Sequence, residues 1–249
     1  MKPNLLCAAL SLCLVAPAIP AVAQAQATAA PPKVYTGSFG AGLAITGGNT
    51  DTKNFNLTFD LTRDAKTKNV IKANALYIRS DANSVTTADR LALGFRDEYS
   101  LSKRAFVYAA LPYVRDPFKQ ISYLINPQGG LGYKLITTDK NTFTLSGGLG
   151  AVWEKDIGID VKTSGTINAG QSYSYKLSDK TSIAQVFTAL WKTSDFNDAF
   201  YHTGISLVTS ITKRIQVKVE FLDDYKNVTP NPSVKSNDTA FITSFLFKF

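Results

Sequence analysis

Histidine and cysteine are almost absent from this chain of 249 residues, which contains one histidine and two cysteines. Both cysteines, Cys7 and Cys13, lie in an N-terminal segment that we expect to be removed, so the mature chain would have no thiol and no disulfide. Most zinc sites and Ser-His-acid hydrolases need histidine, and only His202 could supply it. The composition therefore argues against a metalloenzyme and against thiol chemistry, and we expect no cofactor and no metal.

Long apolar runs are also absent. The apolar run at residues 5–16 is about a dozen residues long, below the ~20 that a transmembrane helix needs. It follows Lys2, precedes two prolines and ends near the small-residue site Ala21-Val22-Ala23. This order is typical of a secretory signal peptide, which we predict at residues 1–23 and expect to be cleaved.

The segment that follows the predicted signal peptide has little structure-forming potential. Residues 24–33 are rich in Ala and Gln and end in Pro-Pro-Lys, which predicts a flexible linker. A lipoprotein would instead need a small residue before the lipidated cysteine, whereas Leu12 precedes Cys13. Residues 34–249 are long enough for one barrel or one large sandwich, and we expect a single domain there.

The net charge is positive, at +8 for the whole chain, and it falls by one unit when Lys2 is removed. This sign suits acidic lipid headgroups or small anions. The bases are scattered between strands and turns and form no stripe of the kind that a nucleic-acid-binding face needs, so we expect no nucleic-acid partner.

From residue 34 onward no segment keeps a helical period, and apolar residues alternate with polar or small ones. The alternation is clear at residues 52–62 and clearest at residues 214–226. The predicted fold is therefore all-β, a transmembrane antiparallel β-barrel of about twelve strands. The strands are predicted at residues 34–46, 52–62, 69–80, 88–101, 105–116, 120–136, 142–155, 160–177, 181–193, 199–212, 214–226 and 238–249. An even count is typical of single-chain bacterial barrels.

The last predicted strand has one strongly aromatic face, which includes Phe241, Phe245, Phe247 and Phe249. A soluble sandwich would have to cover those rings, whereas a barrel can expose them to outer-membrane lipid. Bacterial outer-membrane barrels commonly end this way, and the resemblance implies that Phe245, Phe247 and Phe249 are an assembly signal for the barrel-assembly machinery. We expect the terminal strand to be paired in the sheet.

Every other connection has an aliphatic residue, a Ser or Thr, and then a base. This pattern occurs around Leu61-Thr62-Arg63, Leu101-Ser102-Lys103-Arg104, Ile136-Thr137-Thr138-Asp139-Lys140, Leu177-Ser178-Asp179-Lys180 and Ile211-Thr212-Lys213-Arg214. The intervening connections are predicted to be longer at residues 81–87 and 227–237, although residues 117–119 are short. Short turns at one end and longer loops at the other favour an outer-membrane barrel with periplasmic turns.

Aromatic residues near the strand ends favour two girdles at the membrane interfaces. They are Tyr99, Tyr133, Tyr173 and Tyr175 before short turns, and Tyr77, Tyr113, Trp153 and Trp191 before the other loops.

Asp97 departs from the alternation of apolar and polar residues, because its position in the strand directs it toward lipid. A bulge, a position near the interface or a register error would explain it. Residues 106–114 and 183–190 are apolar on both faces, so their register stays open.

The alternation also predicts which polar side chains face the lumen. The charged and titratable set is Asp60, Arg96, Glu98, Glu154, Lys162, Lys176, His202, Lys218, Glu220 and Lys248. Small residues on the same face leave space, and charges of opposite sign can pair across it. We expect a narrow, hydrated and partly occluded passage with at most a weak anion preference.

Few residues suggest chemistry. His202 shares its face with Gly204 and Ser206, which we assign to the lumen, whereas outer-membrane lipid hydrolases use a lipid-facing His with a Ser two residues later. The Gly-rich segments at residues 129–132 and 147–150 lack a following helix and a Lys-Ser/Thr pair, so they predict strand glycines. Asp156 and Asp160 supply too few oxygens for a calcium site. We therefore predict no catalytic residue.

An ordered set of motifs resembles the domain-of-unknown-function family 481, whose members are often described as salt-induced outer-membrane proteins. The motifs are Asp97-Glu98-Tyr99-Ser100-Leu101-Ser102-Lys103-Arg104, Asp116-Pro117-Phe118, Gly130-Leu131-Gly132-Tyr133-Lys134-Leu135, Leu145-Ser146-Gly147-Gly148-Leu149-Gly150 and the opening Thr46-Gly47-Gly48-Asn49-Thr50. The resemblance implies an exported outer-membrane barrel of a Gram-negative bacterium, and it supplies no catalytic residues.

Three function classes follow from the sequence. The first is an envelope barrel that acts as a narrow passive channel or as a structural component, linked by the resemblance to salt or envelope stress. The second is an outer-membrane lipid-modifying enzyme, and the third is a soluble periplasmic binding sandwich. The sequence specifies neither a transported solute nor an oligomeric state.

Overall fold

The computed structural model describes residues 34–47, 52–82, 85–229 and 232–249, and almost all of them lie in antiparallel strands. The strands are β1 (Tyr35–Gly47), β2 (Thr52–Asp64), β3 (Asn69–Ala82), β4 (Val85–Ser100), β5 (Ala105–Asp116), β6 (Ile121–Ile125), β7 (Gln128–Thr137), β8 (Asn141–Asp156), β9 (Lys162–Lys176), β10 (Thr181–Lys192), β11 (Ala199–Ser210), β12 (Ile215–Lys226) and β13 (Asn237–Lys248). The predicted signal peptide, linker and Gly48-Asn49-Thr50 turn lie outside the described residues.

The strands form one closed ring. Strands that follow one another in the chain are paired, except that β6 and β7 each pair with β5 and with β8. Because β1 also pairs with β13, the sheet has no free edge. Closure gives partners to the backbone groups of every described strand, which an open edge in hydrocarbon would leave unpaired.

Twelve positions make up this ring, which confirms the predicted count. The predicted strand at residues 120–136 is interrupted at residues 126–127 and gives β6 and β7. Both segments pair with β5 in one continuous register, as Val114 lies opposite Leu124 and Ala110 lies opposite Gln128. They therefore occupy a single position, and Pro127, which has no N–H to donate, lies at the break.

Side-chain parity is constant around the ring. Because partner residues across each regular ladder share parity, even-numbered residues point to one face and odd-numbered residues to the other. The rule does not hold beyond the register shifts, where Ile121 of β6 packs with Leu124 and Val152 on the even face. The even face holds buried residues such as Asn56, Ile242 and Ser244, and the odd face holds exposed rings such as Phe245. The even face is therefore the lumen and the odd face is the outer wall.

The recurrent Ser or Thr of the short turns has a structural role. Ser102 Oγ accepts hydrogen bonds from the N–H groups of Arg104 (3.2 Å) and Ala105 (2.9 Å). Thr212 does the same for Arg214 (3.2 Å) and Ile215 (2.9 Å). Ser178 and Thr138 make matching bonds. The hydroxyl thus satisfies N–H groups that the strand ladder leaves unpaired.

The first short turn differs from the predicted pattern. Thr62 lies within β2, and Asp64 takes over the capping role by accepting from Lys66 N–H at 2.9 Å. An aspartate side chain can make the same local turn as a hydroxyl.

At the opposite end of the barrel, one predicted loop was wrong. Residues 81–87 were expected to form a long loop, but β3 continues to Ala82 and β4 begins at Val85. A register shift between Ser80 and Asp81 lets the hairpin extend through this polar segment. Residues 117–119 form a single 3₁₀ turn. Within the described ranges no helix is long and apolar enough to cross a membrane.

The outer wall is apolar along its middle. Phe95, Leu149, Phe221 and Phe245 are among its exposed residues. At the loop end, Tyr201 stacks with Phe187 (ring centroids 6.4 Å apart) and accepts a hydrogen bond from Trp191 Nε1 at 3.0 Å. An apolar band next to amphipathic rings is the surface that a bilayer requires.

The structure resolves the three uncertain registers. Asp97 does point outward, but it lies three residues from the end of β4 and accepts a hydrogen bond from Asn69 Nδ2 at 2.5 Å. The pairing around Asp97 is regular, so a bulge and a register error are both wrong as explanations. In β5, Phe106 and Tyr108 face the lumen. In β10, Lys192 faces the lumen, whereas Trp191 faces outward.

Candidate functional site: the barrel lumen

The lumen is exposed at one end and closed at the other. Along β3, Lys72 and Asn74 near the short turns are exposed, whereas Ile78 (2%) and Ser80 (0%) near the loops are buried. Along β9, Ser172 and Ser174 are exposed and Thr166 is buried. We call the exposed short-turn half the vestibule and the buried loop-end half the lid.

Glu154 is the centre of the lid. This carboxylate, carried by β8, is 1% exposed and accepts a hydrogen bond on each oxygen, from Lys192 Nζ of β10 and from Lys226 Nζ of β12. β8 and β12 are not neighbours in the sheet. The contact with Lys226 therefore crosses the lumen and ties opposite walls together.

Three further residues complete the charge balance around Glu154. Lys192 also donates to Asp198 Oδ2 at 2.6 Å. Asp156 Oδ2 accepts from Lys162 Nζ at 3.3 Å, and its other oxygen lies 3.7 Å from Lys226 Nζ. The cluster around Glu154 therefore contains three carboxylates and three ammonium groups, which offset one another, and of these groups Lys162 is the most exposed.

A second cluster surrounds Asp224, two residues before Lys226 on β12. The carboxylate of Asp224 pairs with the guanidinium of Arg90 on β4 and lies 2.7 Å from His202 Nδ1. β4 and β12 are also not adjacent. Through Asp224 and Lys226, β12 thus makes two separate connections across the barrel.

The connection between β5 and β6 folds into this cluster. Asp116 caps the 3₁₀ turn by accepting from Lys119 N–H at 3.2 Å. Lys119 is 3% exposed, and its Nζ donates to the carbonyl of Asp224 at 2.9 Å and lies 3.6 Å from Asp238. A loop lysine therefore enters the lumen and adds a third cross-barrel contact. A small cavity of about 50 Å³ remains beside Arg90, Asp116 and Asp224.

Within the lid, apolar side chains also narrow the lumen. Ile78, Leu222, Ala240 and Ile242 form one buried cluster, with Leu76 packed against it. Ile121, Leu124 and Val152 form another. Small twelve-stranded barrels lie between those filled by their own side chains and those with wide aqueous channels, and these clusters reduce the open cross-section.

The vestibule has its own polar network. Glu98 accepts from Lys72 Nζ at 2.9 Å and from Arg96 Nε at 2.7 Å. The Arg96 guanidinium also stacks 3.7 Å from the centroid of the Tyr108 ring. Lys218 and Glu220 pair at 2.8 Å on β12. These groups keep water contact, so the pairs are weak individually and leave room for solute.

The sequence of this barrel matches the model of one protein family. The model of the family named "Protein of unknown function, DUF481" matches residues 39–249, which include all of the barrel except the first strand's opening residues. The chain belongs to this family. No curated protein matches this DUF481 member in sequence.

Solved structures show the same fold at low sequence identity. The NanC porin is 11% identical, with a TM-score of 0.57 over 85% of this chain and 100% of that chain. The translocator domain of the autotransporter NalP from Neisseria meningitidis is 12% identical, with a TM-score of 0.55 over 88% and 90%. An outer-membrane channel from Pseudomonas putida F1 is 14% identical, with a TM-score of 0.52 over 88% and 97%. This DUF481 member therefore has the fold of an outer-membrane β-barrel.

The ten side chains predicted for the lumen all lie on the even face of this family member. The structure brings Glu154 and Lys162 side by side on paired strands, and it also joins Arg96 to Glu98 and Lys218 to Glu220. His202 meets Asp224. Asp60, Lys176 and Lys248 lie apart from the lid, at the exposed short-turn end.

Several central residues were missed at the sequence level. They are Arg90, Lys119, Asp156, Lys192, Asp198, Asp224, Lys226 and Asp238. The alternation of side chains along each strand predicts a lumenal position for four of them: Arg90, Lys192, Asp224 and Lys226. Lys119 and Asp198 lie in loops, where period-two patterns carry no information.

The predicted assembly-signal residues lie at the seam of the ring. Phe245, Phe247 and Phe249 are exposed on the outer wall, at 63%, 50% and 41%. Phe247 lies opposite Phe39 of β1.

Proposed function

We propose that the protein is a narrow passive channel of the outer membrane that is closed at rest by its lid. After export and cleavage at residue 23, the barrel would insert with its short turns in the periplasm. The vestibule would then face the periplasm and the lid the cell exterior. The observation that carries this proposal is the pair of hydrogen bonds by which Glu154 holds Lys192 and Lys226 across the lumen.

The chemistry of the lid favours a gate over a permanent filler. Apolar side chains of similar size often fill a buried space at lower free-energy cost than ion pairs, because each buried charge must be desolvated. A structural barrel that never conducts would be stable with apolar side chains filling its lumen. Ion pairs, in contrast, can exchange their partners for water when the lumen hydrates. The names of the fold relatives, "porin" and "outer membrane channel", support the same class.

The vestibule supports a weak preference for anions. Its inward charges are six bases and four acids: Lys72, Arg96, Lys134, Lys176, Lys218 and Lys248 against Asp60, Asp64, Glu98 and Glu220. A surplus of bases raises the local concentration of anions, and the interspersed carboxylates reduce that effect. We therefore expect small hydrophilic solutes, with anions entering slightly more readily than cations.

The alternative functions receive less support. A lipid-modifying enzyme needs its histidine on the lipid face, whereas His202 lies on the lumenal face beside Asp224. A soluble sandwich needs two layers, whereas the sheet closes on itself. A structural barrel without conduction is the runner-up. The link to salt stress stays a prediction.

Conductance in planar bilayers tests the proposal. Wild-type protein should give a small or rarely open conductance. Glu154→Gln removes the charge that holds two buried ammonium groups together, so their repulsion should open the loop end and raise the open probability. Glu98→Gln is the matched control, because Glu98 also faces the lumen and also binds two bases but lies in the vestibule.

Three results are informative. Increased conductance in Glu154→Gln and not in Glu98→Gln supports a lid. Large, porin-like conductance in the wild type would contradict closure. If neither the wild type nor Glu154→Gln conducts, although both migrate as folded, heat-modifiable barrels on a denaturing gel, the result would favour a structural barrel without conduction.

A further inference from the structure

The residue that ends each short turn occupies an equivalent place around the barrel. Its carbonyl accepts a backbone hydrogen bond from the neighbouring strand, with N···O distances between 2.7 and 2.9 Å in all five turns. All five residues are basic and exposed: Lys68, Arg104, Lys140, Lys180 and Arg214. We call these five side chains the basic collar.

The turn geometry does not require a base at these positions. The backbone bond uses only the carbonyl, and the Ser or Thr hydroxyl satisfies the turn N–H groups. Any residue with an ordinary backbone conformation could therefore end the turn. The fold therefore does not explain why all five of these solvent-exposed positions are basic, and a binding role would.

The charge of the connections is strongly asymmetric between the two ends. The five short turns (residues 65–68, 101–104, 138–140, 177–180 and 211–214) contain eight bases and two acids. The connections at the other end (residues 48–51, 83–84, 117–120, 157–161, 193–198 and 227–236) contain two bases and four acids. A general need for solubility would not concentrate the bases at one end.

Exposed aliphatic residues lie next to the collar. Leu101, Leu177 and Ile211 begin three of the turns and are 55%, 56% and 59% exposed. Lys68 of the collar lies 5.9 Å from the ring of Tyr99. An apolar side chain followed within three residues by a base matches the boundary between acyl chains and headgroups.

We infer that the basic collar binds the phosphodiester headgroups of anionic glycerophospholipids in the leaflet at the short-turn end. The aliphatic residues would contact the acyl chains while the collar bases reach the phosphates. Each Lys or Arg near an anionic surface contributes about 1 kcal/mol, and a ring of five would fix the depth of the barrel in the leaflet. This inference is independent of conduction and would stand for a barrel that never opens.

Lipid retention during native mass spectrometry tests the inference. The folded protein is reconstituted in vesicles of phosphatidylcholine mixed with phosphatidylglycerol, extracted in a mild detergent, and the bound lipids are counted. Wild-type protein should retain phosphatidylglycerol preferentially. The variant Arg104→Gln/Lys180→Gln/Arg214→Gln should lose that preference by between about fivefold and hundredfold, since each base contributes about fivefold.

A loop-end variant provides the matched control. Arg79→Gln/Lys155→Gln/Lys235→Gln also removes three positive charges and should keep the preference for phosphatidylglycerol. Heat-modifiable migration establishes that both variants are folded. Equal retention of the two lipids by the wild type would overturn the inference, as would an equal loss in the control. Complete displacement of the lipid by soluble glycerol phosphate would also overturn it, because the collar would then be a site for small anions.

Discussion

Phe249 and Gly37 exchange two backbone hydrogen bonds at the seam of the barrel. Phe249 N–H donates to the Gly37 carbonyl at 3.1 Å, and Gly37 N–H donates to the Phe249 carbonyl at 3.4 Å. The Phe249 ring covers Gly37, since a Cβ atom at Gly37 would lie only 2.7 Å from Cζ of that ring. The absence of a side chain at Gly37 thus leaves room for the aromatic ring beside the backbone of the closing strand pair.

The seam contact should matter for assembly. Phe249→Ala keeps the backbone bonds but removes the ring, and we expect a lower fraction of folded, heat-modifiable protein in outer-membrane extracts. Phe241→Ala is the control, because Phe241 is an outward ring of similar exposure in β13, the strand that Phe249 directly follows. Equal losses in both variants would show that only apolar area matters, and would count against the proposed recognition of Phe245, Phe247 and Phe249 by the barrel-assembly machinery.

The two faces of β12 should respond differently to charge. Val219 lies on the outer wall in the middle of the strand, so Val219→Arg should lower the free energy of unfolding by about 2–4 kcal/mol near the bilayer midplane. Lys218→Gln removes a lumenal base whose partner Glu220 keeps water contact, and should cost below about 1 kcal/mol. Urea unfolding in vesicles measures both. Similar tolerance at the two positions would mean that no membrane surrounds this strand.

Gly132 should tolerate no larger residue. A Cβ atom there would overlap the ring of Phe106, which lies buried on the lumenal wall. Gly132→Ala should therefore lower the free energy of unfolding by about 1–3 kcal/mol. Gly147→Ala is the control, because the nearest atom to its added Cβ would be the Asn168 carbonyl at 3.8 Å. A neutral Gly132→Ala variant would show that Phe106 can move aside.

The hydroxyl caps should contribute measurably to the short turns. Thr212→Val keeps the shape of the side chain but removes the acceptor for the N–H groups of Arg214 and Ile215. We expect a loss of about 0.5–1.5 kcal/mol in the free energy of unfolding. Thr137→Val, at the exposed end of β7, should cost less. If the two variants have the same free energy of unfolding, water replaces the hydrogen bonds of the Thr212 hydroxyl without a loss of stability.

Glu154 should be the most sensitive lumenal carboxylate. Breaking a buried ion pair by removing one partner typically costs about 3–5 kcal/mol, because the remaining charge is left uncompensated. Glu154→Gln would leave the buried Lys192 with Asp198 as its one paired carboxylate and Lys226 with Asp156 at 3.7 Å, so its free energy of unfolding should fall below that of Glu98→Gln. Chemical denaturation in vesicles gives the comparison, and equal stability of the two variants would mean that the lid is already hydrated.

The sequence determined the number of strand positions, the parity of the regular strands and the class of fold. Residues 215–222 show why: a strand alternates its side chains with a period of two, so each position reveals its face without reference to distant residues. The same local rule placed Glu154, Lys218 and Phe245 on their faces. The Ser and Thr of the short turns were visible as a repeat, because a turn is closed by residues two or three positions apart.

The tertiary structure alone decided which side chains meet across the lumen. Glu154 and Lys226, or Arg90 and Asp224, are separated by several strands, and their approach depends on the stagger and tilt at which the ring closes. Closure also decided the face of Phe106 in β5, where both parities are apolar and the local pattern is silent. Lys119 belongs to a loop, where side chains follow no regular period, so only the tertiary structure shows that its side chain lies in the lumen. Local alternation thus specifies the wall of the barrel, whereas its contents follow from global closure.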